Sequence, residues 1–320
     1  MGGGVRGAGL KLVPEEVKNL LVFGWLASDL FFHMGRGKLV GVKMGTTRGW
    51  QLARLKEILG SDHSEPQMIV IVTLEGVKLD VTVEWRLDKL NEIIRESKWL
   101  KALAERGAFS EVQTLEGPER LPPRDIDALI LRLKWEWVLD IVKRMEAERK
   151  QSIKCGDEEF RAALMEFEAL VTKVRSGRID YNKAREYLAP ALLLLELETA
   201  KTPEEQKRAL WRFGLVFAEA VAGDGYVARR NIMLTSGEGG PALLWLAVLK
   251  KAGFEPKLYV VRSQDKELYR LEITGEDAVV LASLMPAVGT NPKAEDAINM
   301  FREEGERHVK VELMDVYAAS

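Results

Sequence analysis

An apolar helix that closes on an acid and runs straight into a strand occurs twice in this chain, and no other feature limits the fold as much. Residues 212–227 run RFGLVFAEAVAGDGYV, with the small residues Gly214, Ala218 and Ala222 spaced four apart and Asp224 at the close. Residues 19–32, NLLVFGWLASDLFF, repeat the pattern with Gly24 and Ser28 as the small residues, Asp29 at the close, and the aromatic Phe31 and Phe32 beyond it. Small residues at that spacing let two helix backbones approach closely. An acid in a last turn lies against the negative end of the helix dipole, so helix stability does not explain it. For a single copy, Asp-Gly after a helix is ordinary turn chemistry. Two copies in one setting ask for more.

The flanks repeat as well. Pro14-Glu15-Glu16 and Pro203-Glu204-Glu205 precede the two motifs, and Trp50 and Trp245 each stand 21 residues beyond the motif Asp. Gly60 and Gly253 end the helix that holds each Trp, and two strands and a further helix follow. This period is far longer than a solenoid unit, so the pattern predicts a duplicated domain. The expected class is α+β: two αββαββα halves related by a pseudo-twofold axis, with a helical insertion between them.

On the nine-letter motif, residues 217–225 and 22–30 resemble the LAGLIDADG homing endonuclease family. The second copy includes the DGYV exit, whereas the first departs where Leu30 replaces the closing glycine. The resemblance covers about residues 14–95 and 203–286. It implies that Asp29 and Asp224 are catalytic metal ligands, each serving one strand of duplex DNA. Two carboxylates within ~4–6 Å repel unless a cation lies between them or one stays protonated. Mg²⁺ suits such hard oxygen ligands and grips phosphate as well.

The resemblance also assigns supporting roles: a polar residue on the first hairpin at Gly45 and Ser236, and a basic residue at Arg86 and Thr274. Gly45 has no side chain and Thr274 no charge, so Lys43, Lys257 and Lys266 are the substitutes at hand. Candidate nucleic-acid contacts are Arg36, Lys38, Arg48, Arg229, Arg230, Arg262 and Arg270.

The intervening chain sets the domain boundaries. We expect a mobile tail over residues 1–13, halves over 14–106 and 203–290, an insertion over 107–202, and a helix–strand extension over 291–320. Within them the first motif helix spans 14–29, single helices span 86–106 and 125–150, and the last insertion helix is interrupted at Pro190. Residues 116–124 read as a loop, 292–308 as a helix and 309–317 as a strand. Met68, Val70 and Val72 alternate with Ile69 and Ile71, so both faces of that strand are apolar, and the insertion is the expected cover.

Composition narrows the partners. The formal net charge is −2 with 30% charged residues, which argues against a generic nucleic-acid binder held by phosphate neutralisation. The two sheet regions carry a small basic excess, in the place a DNA footprint needs it. Abundant Glu, Lys and Arg suit a thermophile's surface ion pairs. With Cys155 alone there is no disulfide framework, and no membrane span or leader is visible, so a cytoplasmic monomer is expected. His33, His63 and His308 show no zinc spacing, and the TSGEGG stretch at 235–240 lacks a P-loop lysine and reads as a loop entering a helix. Three readings stay open: a Mg²⁺-dependent DNA endonuclease, a non-catalytic DNA-binding regulator or RNA-splicing maturase, and a protein-interaction scaffold whose insertion covers the saddle.

Overall fold

A computed structural model describes residues 15–73, 76–148, 157–263, 266–285 and 291–302. Its first half runs α1 (Glu15–Leu26), β1 (Phe31–Gly35), β2 (Lys38–Thr46), α2 (Gly49–Leu59), β3 (Gln67–Thr73), β4 (Gly76–Arg86) and α3 (Leu87–Glu96). Between the halves lie α4 (Lys98–Glu105), the short hairpin β5 (Val112–Thr114) and β6 (Gly117–Glu119), then α5 (Ile126–Arg132), α6 (Trp135–Glu148), α7 (Asp157–Arg175) and α8 (Tyr181–Thr199). The second half repeats the first as α9 (Pro203–Asp224), β7 (Gly225–Ala228), β8 (Asn231–Ser236), α10 (Gly239–Lys251), β9 (Lys257–Ser263), β10 (Lys266–Thr274) and α11 (Glu276–Ser283), and α12 (Pro292–Met300) follows. Each half folds its strands into an antiparallel sheet with the same order, β1-β2-β4-β3 and β7-β8-β10-β9. The class is α+β, with two equivalent αββαββα halves.

Local chemistry explains the motif helices. Thr202 and Glu205 form a reciprocal capping box at the start of α9, with Pro203 at the first helical position. That is the physical content of the Pro-Glu-Glu landmark. In β2 the side chains alternate: Leu39, Val42 and Met44 are buried while Lys38, Val40, Lys43 and Gly45 are exposed. The phase changes at a register shift opposite His33 and Met34. Trp85 is fully buried in the first half and donates its indole N–H to the Gly60 carbonyl at 3.0 Å.

The two halves meet along α1 and α9. A Cβ on Gly24 would lie 2.4 Å from the Val216 carbonyl oxygen and 2.5 Å from Glu219 Cβ, so only glycine fits. One turn on, a Cβ on Gly223 would lie 2.3 Å from Ser28 Oγ. The seam on α9 is therefore Val216, Glu219, Ala220 and Gly223, not the expected Gly214, Ala218 and Ala222. Gly214 instead admits the end of α11, where an added Cβ would lie 1.6 Å from the Leu284 carbonyl oxygen. From Phe213 to Ala222 every residue of α9 is buried, so small residues occur on several faces and their spacing does not single out one.

Inside the seam lies a charge. Glu219 accepts from Trp25 Nε1 at 2.6 Å, from Arg54 Nε at 3.1 Å and Nη2 at 2.5 Å, and from Asn291 Nδ2 at 3.1 Å. Arg54, wholly buried on α2, also donates to Glu57 at 2.9 Å. Burial alone would lower the Arg54 pKa, but Glu219 and Glu57 together hold it above its ordinary value.

Several expected elements differ. The helix over 14–29 ends at Leu26. The span 86–106 breaks at Ser97, whose hydroxyl accepts from the Leu100 amide and starts α4. The span 125–150 divides into α5 and α6, Pro190 is accommodated within α8, and the loop at 116–124 contains β6. Over the described side chains β3 is not covered: Met68, Ile69 and Val70 are 67%, 58% and 61% exposed. The insertion packs elsewhere, with α7 and α8 against α10 and α8 also beside α1, α9 and β1. Apolar character asked for a cover, and this edge strand does without one. The N-terminal tail, most of the 292–308 helix beyond α12, and the strand at 309–317 fall outside the described residues.

Replacing Gly24 with Ala is expected to destabilise the fold. Helix propensity would favour Ala by about 1 kcal/mol, but overpacking against backbone costs roughly 1–3 kcal/mol or more. A thermal melt in which Gly24→Ala gains stability would rule out this seam.

Candidate active site at the joined ends of the motif helices

Asp224 is the last residue of α9, and β7 begins at the next residue. A Cβ on Gly225 would lie 2.6 Å from Val221 Cα and 2.7 Å from the Met233 carbonyl oxygen, so this sharp exit requires glycine. In the first half Leu30 occupies the corresponding position and is buried. There the chain leaves the helix early and turns, with Ser28 N and Leu30 N both donating to the Trp25 carbonyl at 3.1 and 2.9 Å. Asp29 thus stands on an irregular turn, while Asp224 stands on a helix. The seam still joins them, because an added Cβ on Gly223 would lie 3.2 Å from Asp29 Oδ2.

Two cavities flank the acid pair. One, about 240 Å³, is lined by Asp29, Asp224, Ser236 and Trp245, with Arg185 and Glu186 from α8. The other, about 380 Å³, is lined by Asp29, Gly45, Arg48, Gln51, Asp80 and Gly223. Asp29 borders both. Its Oδ2 accepts from Gln51 Nε2 at 3.0 Å, and Gln51 in turn accepts a short hydrogen bond from Thr46.

Burial pushes the Asp224 carboxyl up to about 7, helped by the charge of Asp29 and opposed by Arg185. The Asp29 pKa is also raised by burial, though the Gln51 hydrogen bond and the charges of Arg185 and Arg48 oppose this. Burial likewise raises Glu186. The pair therefore resists ionising together, and Arg185 offsets its charge only in part. Hard oxygen donors with uncompensated charge fit a divalent cation, which would complete its shell with water or phosphate oxygens. Among the described residues, no group of three or more His, Cys, Asp or Glu converges on one point.

Of the other sequence candidates, Ser236 lines the first cavity and Arg48 the second. The Ser236 hydroxyl is already engaged, donating to the Glu238 carbonyl at 2.8 Å. Lys43 is exposed on β2 opposite Glu84, and Lys257 on β9 faces Glu272. Arg86 pairs with Asp88 at 2.9 Å and lines neither cavity. Arg36 and Lys38 sit at the β1–β2 tip and Arg229 and Arg230 at the β7–β8 tip, with Arg36 and Arg229 at φ of 49° and 46°. Arg262 pairs with Glu267 at 3.2 Å, and Arg270 lies on β10 between Thr235 and Tyr259. Cross-strand acids thus stand opposite three of these basic residues, Lys43, Lys257 and Arg262.

Sequence reasoning missed Arg185, Glu186 and Gln51. Gln51 follows the Trp50 landmark and could have been weighed from its place. Arg185 and Glu186 belong to the insertion, and no spacing ties them to either motif. The TSGEGG stretch does lead into a helix, and two of its glycine amides are taken: Gly239 N and Gly240 N donate to Glu166 Oε2 of α7 at 2.8 and 2.9 Å. His33 pairs with Glu84 at 2.5 Å and His63 packs on Trp85, so the described histidines form no cluster.

Asp224 also makes a stability prediction. Its unfolded carboxyl titrates near 3.8 and the folded one near 7, so the folded state holds the proton longer. Its contribution is fully present below the lower value and is lost as pH rises through the upper one. Without divalent cation, Asp224→Asn should raise the melting temperature at pH 8 more than at pH 4. An equal shift at both pH values would contradict the raised carboxyl.

No family model matches the chain, and no curated protein sequence matches it. Among solved structures, the homing endonuclease I-WcaI bound to its DNA recognition sequence is similar over 94% of this chain and 95% of that chain, at 10% sequence identity and a TM-score of 0.38. The αββαββα architecture described above stands on its own strand order, and a likeness of this size adds no weight to it.

Proposed function

We propose that the chain is a LAGLIDADG-type, metal-dependent DNA endonuclease acting as a monomer with internal pseudo-symmetry. The observation that carries this reading is the meeting of Asp29 and Asp224 at the joined ends of two motif helices, in a setting that leaves their charge partly uncompensated. Asp29 and Asp224 would hold Mg²⁺, which supplies electrostatic stabilisation to the attacking water and the leaving oxygen of a phosphodiester. Gln51 orients Asp29 by its amide, and Arg48, beside Asp29, offers charge to a phosphate. The grooves of duplex DNA suit two antiparallel sheets on either side of this line.

A second reading is favoured by a specific observation. Arg185 stands beside both acids as a protein-supplied cation, and acids face three basic residues of the sheets, Lys43, Lys257 and Arg262. Both features suit a descendant that binds DNA or RNA without cutting it.

Incubation with randomised duplex DNA separates the two. Under the first reading, nicking and linearisation need Mg²⁺ or Mn²⁺ and stop with a chelator. Asp224→Asn abolishes cutting, and Asp29→Asn abolishes it or leaves nicking of one strand. Binding survives, since removing a negative charge eases the approach of phosphate. Salt-sensitive binding with no metal-dependent cleavage selects the non-catalytic reading. Absence of binding to any nucleic acid removes both and leaves an interaction scaffold.

A further inference from the structure

We infer that the insertion is a working part of the first half-site: α8 clamps the turn that carries Asp29, with Arg185 and Asn182 as positioning residues. The need for a clamp follows from the degenerate motif. The second motif keeps its helix to Asp224, and Gly225 N still reaches the Val221 carbonyl. The first stops at Leu26, so carbonyls at the broken end lose their helical donors.

Arg185 Nη1 donates to two of them, Leu26 O at 2.7 Å and Ser28 O at 2.8 Å, on the near side of Asp29. On the far side, its guanidinium lies 4.3 Å from the centre of the Phe31 ring. Asn182, one turn earlier on α8, closes the grip on the edge strand. Its Oδ1 accepts from Phe32 N at 2.8 Å, and its Nδ2 donates to Phe32 O at 3.2 Å. The residues from Leu26 to Phe32 are thus held on both sides of Asp29 by two side chains of one helix. Arg185 is itself 2% exposed and also donates to Glu186 at 3.1 Å. In the second half the corresponding strand lies beside α12, and among the described residues Lys293 stands 5.3 Å from the centre of the Tyr226 ring.

Hydrogen exchange on the full chain tests the clamp without reference to any activity. Arg185→Met should speed exchange of the amides of residues 28–32 by about tenfold or more, the scale of one lost charge-assisted hydrogen bond. The amides of 223–227 should be unchanged. Glu166→Ala, which removes the acceptor at the start of α10, is the control and should leave residues 28–32 as they were. Arg185→Lys should restore part of the protection. If Arg185→Met does not fold, Asn182→Ala keeps Arg185 and should loosen residues 31–33 alone.

The cleavage arm rests on the endonuclease reading. There, Arg185→Met should lower the turnover rate on the strand attended by Asp29, leaving KM and the other strand near the parent values. If the parent cuts no strand, that reading fails and the exchange arm decides by itself. Unchanged exchange at 28–32, or equal loosening of both motif exits, overturns the clamp.

Discussion

Glu219 is the constraint on which the joining of the two halves depends. A carboxylate buried between two helices is costly unless its oxygens are filled, and here four donor nitrogens come from three side chains: Trp25 on α1, Arg54 on α2 with two, and Asn291 before α12. Removing one partner of such a pair costs about 3–5 kcal/mol, because the other is left buried and alone. Net stabilisation is a different quantity and is often near zero for buried pairs. What Glu219 supplies is geometry. It admits one register of α1 against α9, the register in which Gly24 makes room for its Cβ, and that register sets Asp29 against Gly223.

Much of this order was legible in the residues. The repeated helix–acid–strand pattern, the two Trp landmarks and the glycines at 60 and 253 led to the right element order in both halves. The seam was legible in kind but not in place. Gly24 and Ser28 lie on it, whereas Gly214, Ala218 and Ala222 do not, because α9 is buried all round and hydrophobic period gives no direction there. Glu219 sits in the third motif position, where a charged residue reads as an exposed one. Only its long-range partners, 165 and 194 residues away in sequence, show why it is inside.

The acid pair itself could be named from the motif, but its surroundings could not. Asp224 and Asp29 differ in support, one on a finished helix and one on a turn, and the difference traces to Leu30 in place of glycine. The side chains that answer it come from α8, and local pattern has no means of linking residue 185 to residue 28. The exposed Met68, Ile69 and Val70 mark the opposite limit. Apolar character predicts burial on average, and an edge strand is where that average fails.

The third motif position has a consequence for ancestry and engineering. By the internal repeat, Gly24 corresponds to Glu219, and Arg54 to Leu249, which is also buried. The two halves are therefore complementary rather than interchangeable. A homodimer of the second half would oppose two Glu219 carboxylates and offer leucines where the guanidinium now stands. One of the first half would oppose two glycines across an empty gap and leave each buried Arg54 with Glu57 as its remaining carboxylate partner. Each self-pairing carries its own electrostatic veto, so the seam selects the unlike pairing by rejecting the like ones. A single acid and the space left for it thus make one half the specific partner of the other.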